Sequence, residues 1–254
     1  MPNLKASVRM PLCFSLLLGF VLCLQAARAA EDDPGLLRTL QTDSANIENT
    51  YYLLTWFNND TSPYHGVYLY GEGLLALGKD LGVELDFPTL DTIQPFGKEP
   101  LIMGPIGLYG RYEFYHFGAW NSETAGAFSL QAGAAYGFPN KTFKWIGSSW
   151  SIEALGGYRA GKVFFQGNYG FQGGIDPQVQ SMLKANSAVG FNLGSDLFIQ
   201  GEADVTIVTA PFANSSCALV PQIAFQPGEW LFEFGEAFNT VPMGFTEIMV
   251  ARTF

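Results

Sequence analysis

Apolar and polar residues alternate with a period of two along most of the chain. In residues 196–208, for example, Leu197 and Ile199 belong to an apolar series, whereas Glu202 and Asp204 belong to the polar series between its members. Successive side chains of a β-strand point to opposite faces, so this pattern predicts strands with one apolar and one polar face. Beyond the first thirty residues, no apolar run reaches the roughly 18–20 residues that a membrane-spanning helix needs. We therefore expect a β-structure rather than a helical membrane protein.

Short turns alternate with longer connections between the predicted strands. Ala160-Gly161 and Pro227-Gly228 supply the residue types of tight reversals, whereas Pro88–Met103 and Pro139–Gly147 are predicted to be long connections. Outer-membrane barrels have this arrangement, with short turns at the periplasmic rim and longer loops at the other. The sequence therefore predicts an all-β fold, an antiparallel transmembrane β-barrel of about 12 strands, or about 10 if the weakly alternating first strand and one other are absent. The predicted strands are Thr50–Asn58, Tyr64–Leu77, Lys79–Phe87, Gly104–Phe117, Ala125–Phe138, Ser148–Arg159, Gly161–Gly173, Ala185–Leu193, Asp196–Val208, Ala218–Phe225, Glu229–Phe238 and Met243–Phe254.

The first 29 residues have the pattern of a signal peptide. Lys5 and Arg9 form a basic start, Pro11–Leu24 is apolar, and Ala27-Arg28-Ala29 is a small-residue cleavage motif. We expect an exported protein in which residues 50–254 form the barrel. Residues 30–49 are predicted to be a periplasmic N-terminal extension, with a plug or a frayed terminus as alternatives.

The composition narrows the class of protein further. Only 14% of the residues are charged and 48% are hydrophobic, whereas soluble domains have roughly 25% charged residues. The formal net charge of -10 excludes a nucleic-acid-binding protein, which needs a basic surface. A secreted β-sandwich also alternates, but its outer face carries Lys, Glu and Arg freely. The polar faces here are instead rich in Gly, Ala, Ser, Gln and Tyr, which favours the barrel and predicts a location in the bacterial outer membrane.

The C-terminal residues resemble the terminal strand signal of bacterial outer-membrane barrels. The chain ends on Phe254, and Ile248 and Val250 lie on the same predicted face. Arg252 departs from the pattern, because that position is usually apolar or aromatic. The resemblance implies two partners, the lipid of the outer membrane and the barrel-assembly machinery, which would recognise Phe254 as an assembly signal.

Two hairpin regions resemble a more specific family. Gly71–Pro88, followed by Gly104–Phe117, is similar to the outer-membrane proteins described as transporters of the phenol meta-degradation pathway, and the similarity extends to Pro221–Phe238 and the last strand. The resemblance implies a barrel transporter of poorly defined substrate and supplies no catalytic residues to carry over.

If the apolar faces contact lipid, the polar faces form an interior. We predict a channel or transporter for small solutes, without a cofactor or a bound metal. Carboxylates outnumber basic groups in this interior, which favours cations or neutral solutes, and its tyrosines can stack on an aromatic or weakly polar solute. The alternative is a filled interior in which Arg111 and Arg159 neutralise the carboxylates. The predicted solute pathway consists of Tyr68, Tyr70, Glu72, Glu84, Asp86, Tyr109, Arg111, Glu113, Tyr115, Glu153, Arg159, Phe164, Gln200, Glu202, Asp204 and Glu233.

Two other classes of function stay open at this point. A lipid-modifying enzyme would need a nucleophile beside a base. The histidines available are His65, close to a loop, and His116, which the alternation places on the lipid-facing side. A structural or adhesive barrel would instead bind a partner through its loops, with Pro88–Met103 as the candidate contact.

Overall fold

The computed structural model describes twelve separate stretches of the chain, and the barrel is built from these. They are residues 45–58, 64–65, 67–91, 94–95, 102–119, 122–137, 144–145, 147–177, 179–194, 196–210, 215–239 and 244–253. Within these stretches, no helix is long and apolar enough to cross a membrane.

The alternating segments form long strands, which we number in chain order. They are β1 (Thr50–Asn58), β2 (Val67–Ala76), β3 (Leu81–Asp86), β4 (Ile106–Phe117), β5 (Thr124–Tyr136), β6 (Ser149–Ala160), β7 (Val163–Gly174), β8 (Ser181–Gly194), β9 (Leu197–Ala210), β10 (Ser215–Phe225), β11 (Trp230–Asn239) and β12 (Gly244–Thr253). The short strands Tyr64–His65, Leu90–Asp91, Gln94–Pro95, Ile102–Met103 and Lys144–Trp145 lie between them in the chain.

The long strands close into one antiparallel barrel of 12 strands, which confirms the predicted fold class. Each strand pairs with its neighbours in the chain, and β1 closes the barrel by pairing with both β12 and β2. Tyr52 of β1 lies opposite Ala251 of β12 and Glu72 of β2. The first strand, which the alternation supported only weakly, is therefore required for closure.

The two surfaces of the barrel have opposite polarity. Leu108 and Phe234 on the outer surface are 59% and 52% exposed, whereas Gln131 and Glu233 on the inner surface are 4% and 2% exposed. A soluble sandwich would bury its apolar face, so this arrangement excludes that alternative. An apolar exterior around a polar interior is the architecture of transmembrane barrels of outer membranes, which confirms the predicted location.

The connections divide the barrel into two ends. The turns after β2, β4, β6, β8 and β10 lie at the short-turn end, together with the start of β1 and the end of β12. The ends of β1, β3, β5, β7, β9 and β11 lie at the long-loop end. β8 begins at Ser181 and β10 at Ser215, both earlier than the alternation indicated.

A β-bulge in β4 corrects two predictions. The pairing with β5 shifts between Glu113 and Tyr115, so Tyr115 lies opposite Phe128. Tyr115 is 53% exposed and contacts the outward Phe128 ring, with 6.2 Å between ring centroids, so its predicted place in the lumen is wrong. The same shift puts His116 opposite the fully buried Ala127, on the inner parity rather than the lipid-facing one. A bulge changes the parity of every residue after it.

Candidate functional site

The interior of the barrel contains a cavity of about 410 Å³ toward the long-loop end, which we call the lumen cavity. Most of its wall comes from inward side chains of strands on opposite sides of the barrel. The predicted pathway residues that line the cavity are Tyr68, Tyr70, Glu72, Glu84, Asp86, Tyr109, Glu153 and Asp204.

The other predicted pathway residues lie elsewhere. Arg159 has inward parity at the rim of the short-turn end, where its Nε donates to the carbonyl oxygen of Gly161 at 3.0 Å. Phe254, the predicted assembly signal, lies outside the described residues. Those buried in the interior without lining the cavity are Arg111, Glu113, Phe164, Gln200, Glu202 and Glu233.

Arg111 forms an ion pair and a hydrogen bond at the base of the lumen cavity. Its guanidinium forms an ion pair with Glu84, and its Nε donates to Oε1 of Gln131 at 2.7 Å. Gln131 in turn donates from Nε2 to the second carboxylate oxygen of Glu84 at 2.7 Å. Arg111 is only 1% exposed, so these neighbours replace water around its buried charge.

Tyrosines form one wall of the lumen cavity. The hydroxyls of Tyr52 and Tyr70 both donate to Glu72, the second at 3.0 Å, and the two rings lie 5.8 Å apart between centroids. Tyr68 and Tyr109 line the same side of the cavity. Because the hydroxyls of Tyr52 and Tyr70 are engaged by Glu72, these two residues offer the cavity mainly the surface of their rings.

A row of polar side chains forms the opposite wall. Asn168 of β7, Asn186 of β8 and Asp204 of β9 lie directly opposite one another in the strand register. Nδ2 of Asn168 donates to Glu153 at 3.3 Å. The buried Oδ1 atoms of Asn168 and Asp204 accept no hydrogen bond within the described part of the chain. Lys184 also lines the cavity, and it is the inward residue next to Asn186 on β8.

The interior toward the short-turn end, which we call the packed half, is filled by side chains. Phe164 and Phe198 contact edge to face, with 6.2 Å between centroids, and are 3% and 8% exposed. A hydrogen-bonded network lies beside them: Gln200 donates to Gln222 at 2.6 Å and to Glu233 at 2.7 Å, and Gln222 donates to Glu202 at 2.6 Å.

The residues that precede β1 also occupy the packed half. Ala45 is fully buried and its carbonyl oxygen accepts a hydrogen bond from the Ser129 hydroxyl. The amide of Ile47 donates to Oε2 of Glu113 at 3.2 Å, and His116 contacts the other oxygen of Glu113 at 3.2 Å. Residues 45–49 therefore lie inside the barrel.

Three carboxylates come close enough to hold a cation. Oxygen atoms of Glu72, Glu84 and Asp86 lie within 4.8 Å of one another. The alternation shows Glu84 and Asp86 on one face, and the fold adds Glu72 from the neighbouring strand. Such a set suits a hard cation, but Glu84 is already paired with Arg111 and Glu72 accepts two tyrosine hydroxyls. We therefore assign no metal to it.

Comparison with known proteins supports the fold. The chain matches no protein-family model and no curated protein sequence. Among solved structures it is similar to the KdgM porin, with a TM-score of 0.50 and 9% identity over 81% of this chain and 99% of that one. The chain has the fold of porin-like outer-membrane barrels. The resemblance to the phenol meta-degradation family stays a prediction.

Two further solved structures are similar at lower scores. Pseudomonas aeruginosa OccK5 (OpdH) has a TM-score of 0.44 and 10% identity over 85% of this chain and 64% of that one. OmpT, an outer membrane protein of Vibrio cholerae, has a TM-score of 0.42 and 7% identity over 81% of this chain and 98% of that one. At these identities the likeness concerns the fold alone.

Several cavity residues were missed by the sequence reasoning. Lys184 fell in a segment predicted as a loop, and Tyr52 in the strand with weak alternation. Asn168 lies on the polar face of the predicted strand Gly161–Gly173, but nothing in the sequence separates a polar residue beside the cavity from one in the packed half. The length of each strand and its pairing would have been needed to make that distinction.

Proposed function

We propose that this protein is an outer-membrane channel or transporter for small solutes, and that the lumen cavity is part of the solute pathway. The observation that carries the proposal is the cavity of about 410 Å³ inside a closed barrel with an apolar exterior. Its size lies within the range of about 300–1,000 Å³ typical of small-molecule sites. The packed half has to rearrange for a solute to pass through the barrel.

The lining of the cavity favours cations or neutral solutes. Glu72, Glu84, Asp86, Glu153 and Asp204 supply carboxylates, and a cavity rich in them repels anions. Its tyrosine rings provide surface for an aromatic or weakly polar compound. The resemblance to the phenol meta-degradation family supports the same class of solute.

Reconstitution into a planar bilayer tests the proposal. The refolded protein should produce discrete conductance steps, and asymmetric KCl should shift the reversal potential in the direction of K⁺ selectivity. Glu123→Gln removes a carboxylate from an exposed turn outside the cavity. This variant should keep the wild-type reversal potential. A membrane-inserted protein that gives no conductance under any voltage contradicts the channel, and selectivity for chloride contradicts the proposed solute class.

We propose that His116 is not catalytic, because it pairs with the carboxylate of Glu113 at the rim of the packed half, whereas a lipid-modifying enzyme needs a nucleophile beside its base. Loss of a deacylase or lipase activity on substitution of His116 by Ala would establish the enzyme instead.

Binding of an external partner that is lost on loop deletion, with conductance absent throughout, would establish the adhesive barrel.

The partners implied by the barrel are part of the same proposal. Outer-membrane lipid would contact the apolar exterior, and the barrel-assembly machinery would recognise the C-terminal strand. Because β12 closes the barrel against β1, its correct placement is needed to complete the structure. Deletion of Phe254 should lower the amount of folded protein in the membrane, measured by heat-modifiable migration in gels.

A further inference from the structure

The polar wall of the lumen cavity has acceptors that lack donors. Asn168 is only 5% exposed, and its Oδ1 accepts no hydrogen bond within the described residues. The same is true of Oδ1 of Asp204, two strands away in the same register row. A buried acceptor without a donor is unfavourable. Asn168 and Asp204 both line the cavity, so a ligand in the cavity can supply the hydrogen-bond donors that these two atoms lack.

The charges around the cavity specify the kind of donor. Glu84 is compensated by Arg111, whereas Glu153 and Asp204 lie on the polar wall near a single lining cation, Lys184. Buried carboxylates disfavour one another's ionised form unless a cation lies among them. An ammonium group supplies this charge together with three donors and no acceptor. A hydroxyl supplies a donor without the charge, and a carboxylate adds to the repulsion.

The tyrosine wall of the cavity indicates which chemical group carries the hydrogen-bond donor. The rings of Tyr52 and Tyr70 lie side by side, with both hydroxyls bound to Glu72. Aromatic rings and cations both bind favourably to such ring surfaces. The cavity volume of about 410 Å³ suits one ring with a short side chain rather than a polymer.

We propose that the lumen cavity binds small ring compounds that carry a primary ammonium group, with the ring against Tyr52 and Tyr70 and the ammonium at Asn168 and Asp204. This inference rests on the proposed role of the cavity as a solute site and names the class of solute.

Three probes that share one phenol ring test the proposal. Tyramine carries an ammonium group, tyrosol a hydroxyl in its place, and 4-hydroxyphenylacetate a carboxylate. Calorimetric titration of the folded protein in detergent should show tyramine binding at least about tenfold more tightly than tyrosol, as expected for hydrogen bonds to a charged group. 4-Hydroxyphenylacetate should bind most weakly. Equal binding of tyramine and tyrosol, or tightest binding of the carboxylate, overturns the proposal.

Two variants with opposite effects locate the ammonium. Asp204→Asn should weaken tyramine binding about tenfold and leave tyrosol nearly unchanged. Lys184→Gln removes the lining cation and should strengthen tyramine binding. Glu123→Gln removes one negative charge, as Asp204→Asn does, but lies in an exposed turn away from the cavity, so it should bind tyramine like the wild type. If Asp204→Asn does not fold, a Lys184→Gln variant that binds tyramine no more tightly than the wild type overturns the proposal.

The titrations test the ammonium ligand, and the bilayer measurements test the channel, so either proposal can be contradicted without the other. Conductance with cation selectivity, but without the expected order of the three probes, overturns the ammonium ligand and leaves the channel in place. The expected order of probes without any conductance supports the ammonium ligand and contradicts transport.

Discussion

The two halves of the barrel interior are built from the same strands and the same alternation, yet one is filled and the other holds a cavity. In the packed half, large side chains such as Phe164 of β7 and Phe198 of β9 contact each other across β8, which lies between their strands. In the long-loop half, Ala135 and Gly147 line the cavity and leave space. The size of the inward side chains, rather than their inward parity, thus determines whether the lumen is filled or open.

Hydrogen bonding differs between the halves in the same way. In the packed half, Gln200 and Gln222 connect two carboxylates through short hydrogen bonds. In the cavity, Asn168 and Asp204 each keep an acceptor without a donor. Gln200 in the packed half also keeps its Oε1 without a donor within the described residues, but Asn168 and Asp204 line the cavity, where a ligand can reach them. Access to the open acceptors therefore distinguishes a binding region from a structural region within one lumen.

The largest effect is expected for Arg111→Met at the boundary between the halves. The substitution leaves Glu84 buried without its cation, which typically costs about 3–5 kcal/mol. Urea unfolding of the protein in lipid vesicles, followed by tryptophan fluorescence, should show this loss of the free energy of unfolding.

Two variants control this prediction. Arg252→Met removes an ion pair with Glu229 at the rim, where both side chains are partly exposed, so it should cost at most about 1 kcal/mol. The double variant Arg111→Met/Glu84→Gln should be more stable than Arg111→Met, because it removes the unpaired charge. If Arg111→Met and Arg252→Met lower the free energy of unfolding equally, the buried ion pair of Arg111 stabilises the barrel no more than the pair at the rim.

The strand pattern could be predicted from the sequence because lipid and lumen select opposite polarities at alternate residues. The predicted strands for β1, β4 and β9 match the structure within about two residues, in line with the usual uncertainty of strand ends. The bulge at Phe114 could not be predicted, because it depends on how β4 pairs with β5. The faces that the alternation predicts for Tyr115 and His116 are therefore wrong.

The candidate site could be predicted only as a set of inward residues. Glu84 and Asp204 were both recognised as inward, but their different environments depend on Arg111 and on the Asn168–Asn186 row, which come from other strands. The burial of Ala45 in the lumen is likewise a tertiary contact, formed with Ser129 from far along the chain. Local periodicity contains no information about such contacts.

A matched pair of substitutions tests whether the halves differ in free space. Ala127 is fully buried in the packed half, and Ala135 lines the cavity. Ala127→Phe should overpack the interior and lower the free energy of unfolding by about 1–3 kcal/mol. Ala135→Phe should be tolerated but should weaken probe binding, because the ring occupies the cavity. Equal destabilisation by the two variants, measured in the same urea titrations, would mean that the cavity is not available space.

The smallest effect is expected at the contact between Ser129 and residues 45–49. These residues lie in the packed half without belonging to its wall, so their release is the simplest way to open a passage at the short-turn end. Ser129→Ala removes the hydrogen bond to the Ala45 carbonyl, which is worth about 1 kcal/mol. A difference of that size changes an equilibrium about fivefold. We therefore expect about fivefold more frequent channel openings in bilayers.

Ser187→Ala is the control, because Ser187 lies on the outward parity and bonds the exposed Tyr169 hydroxyl at 2.7 Å. It should open as rarely as the wild type, and if Ser129→Ala does so too, residues 45–49 do not limit passage through the packed half.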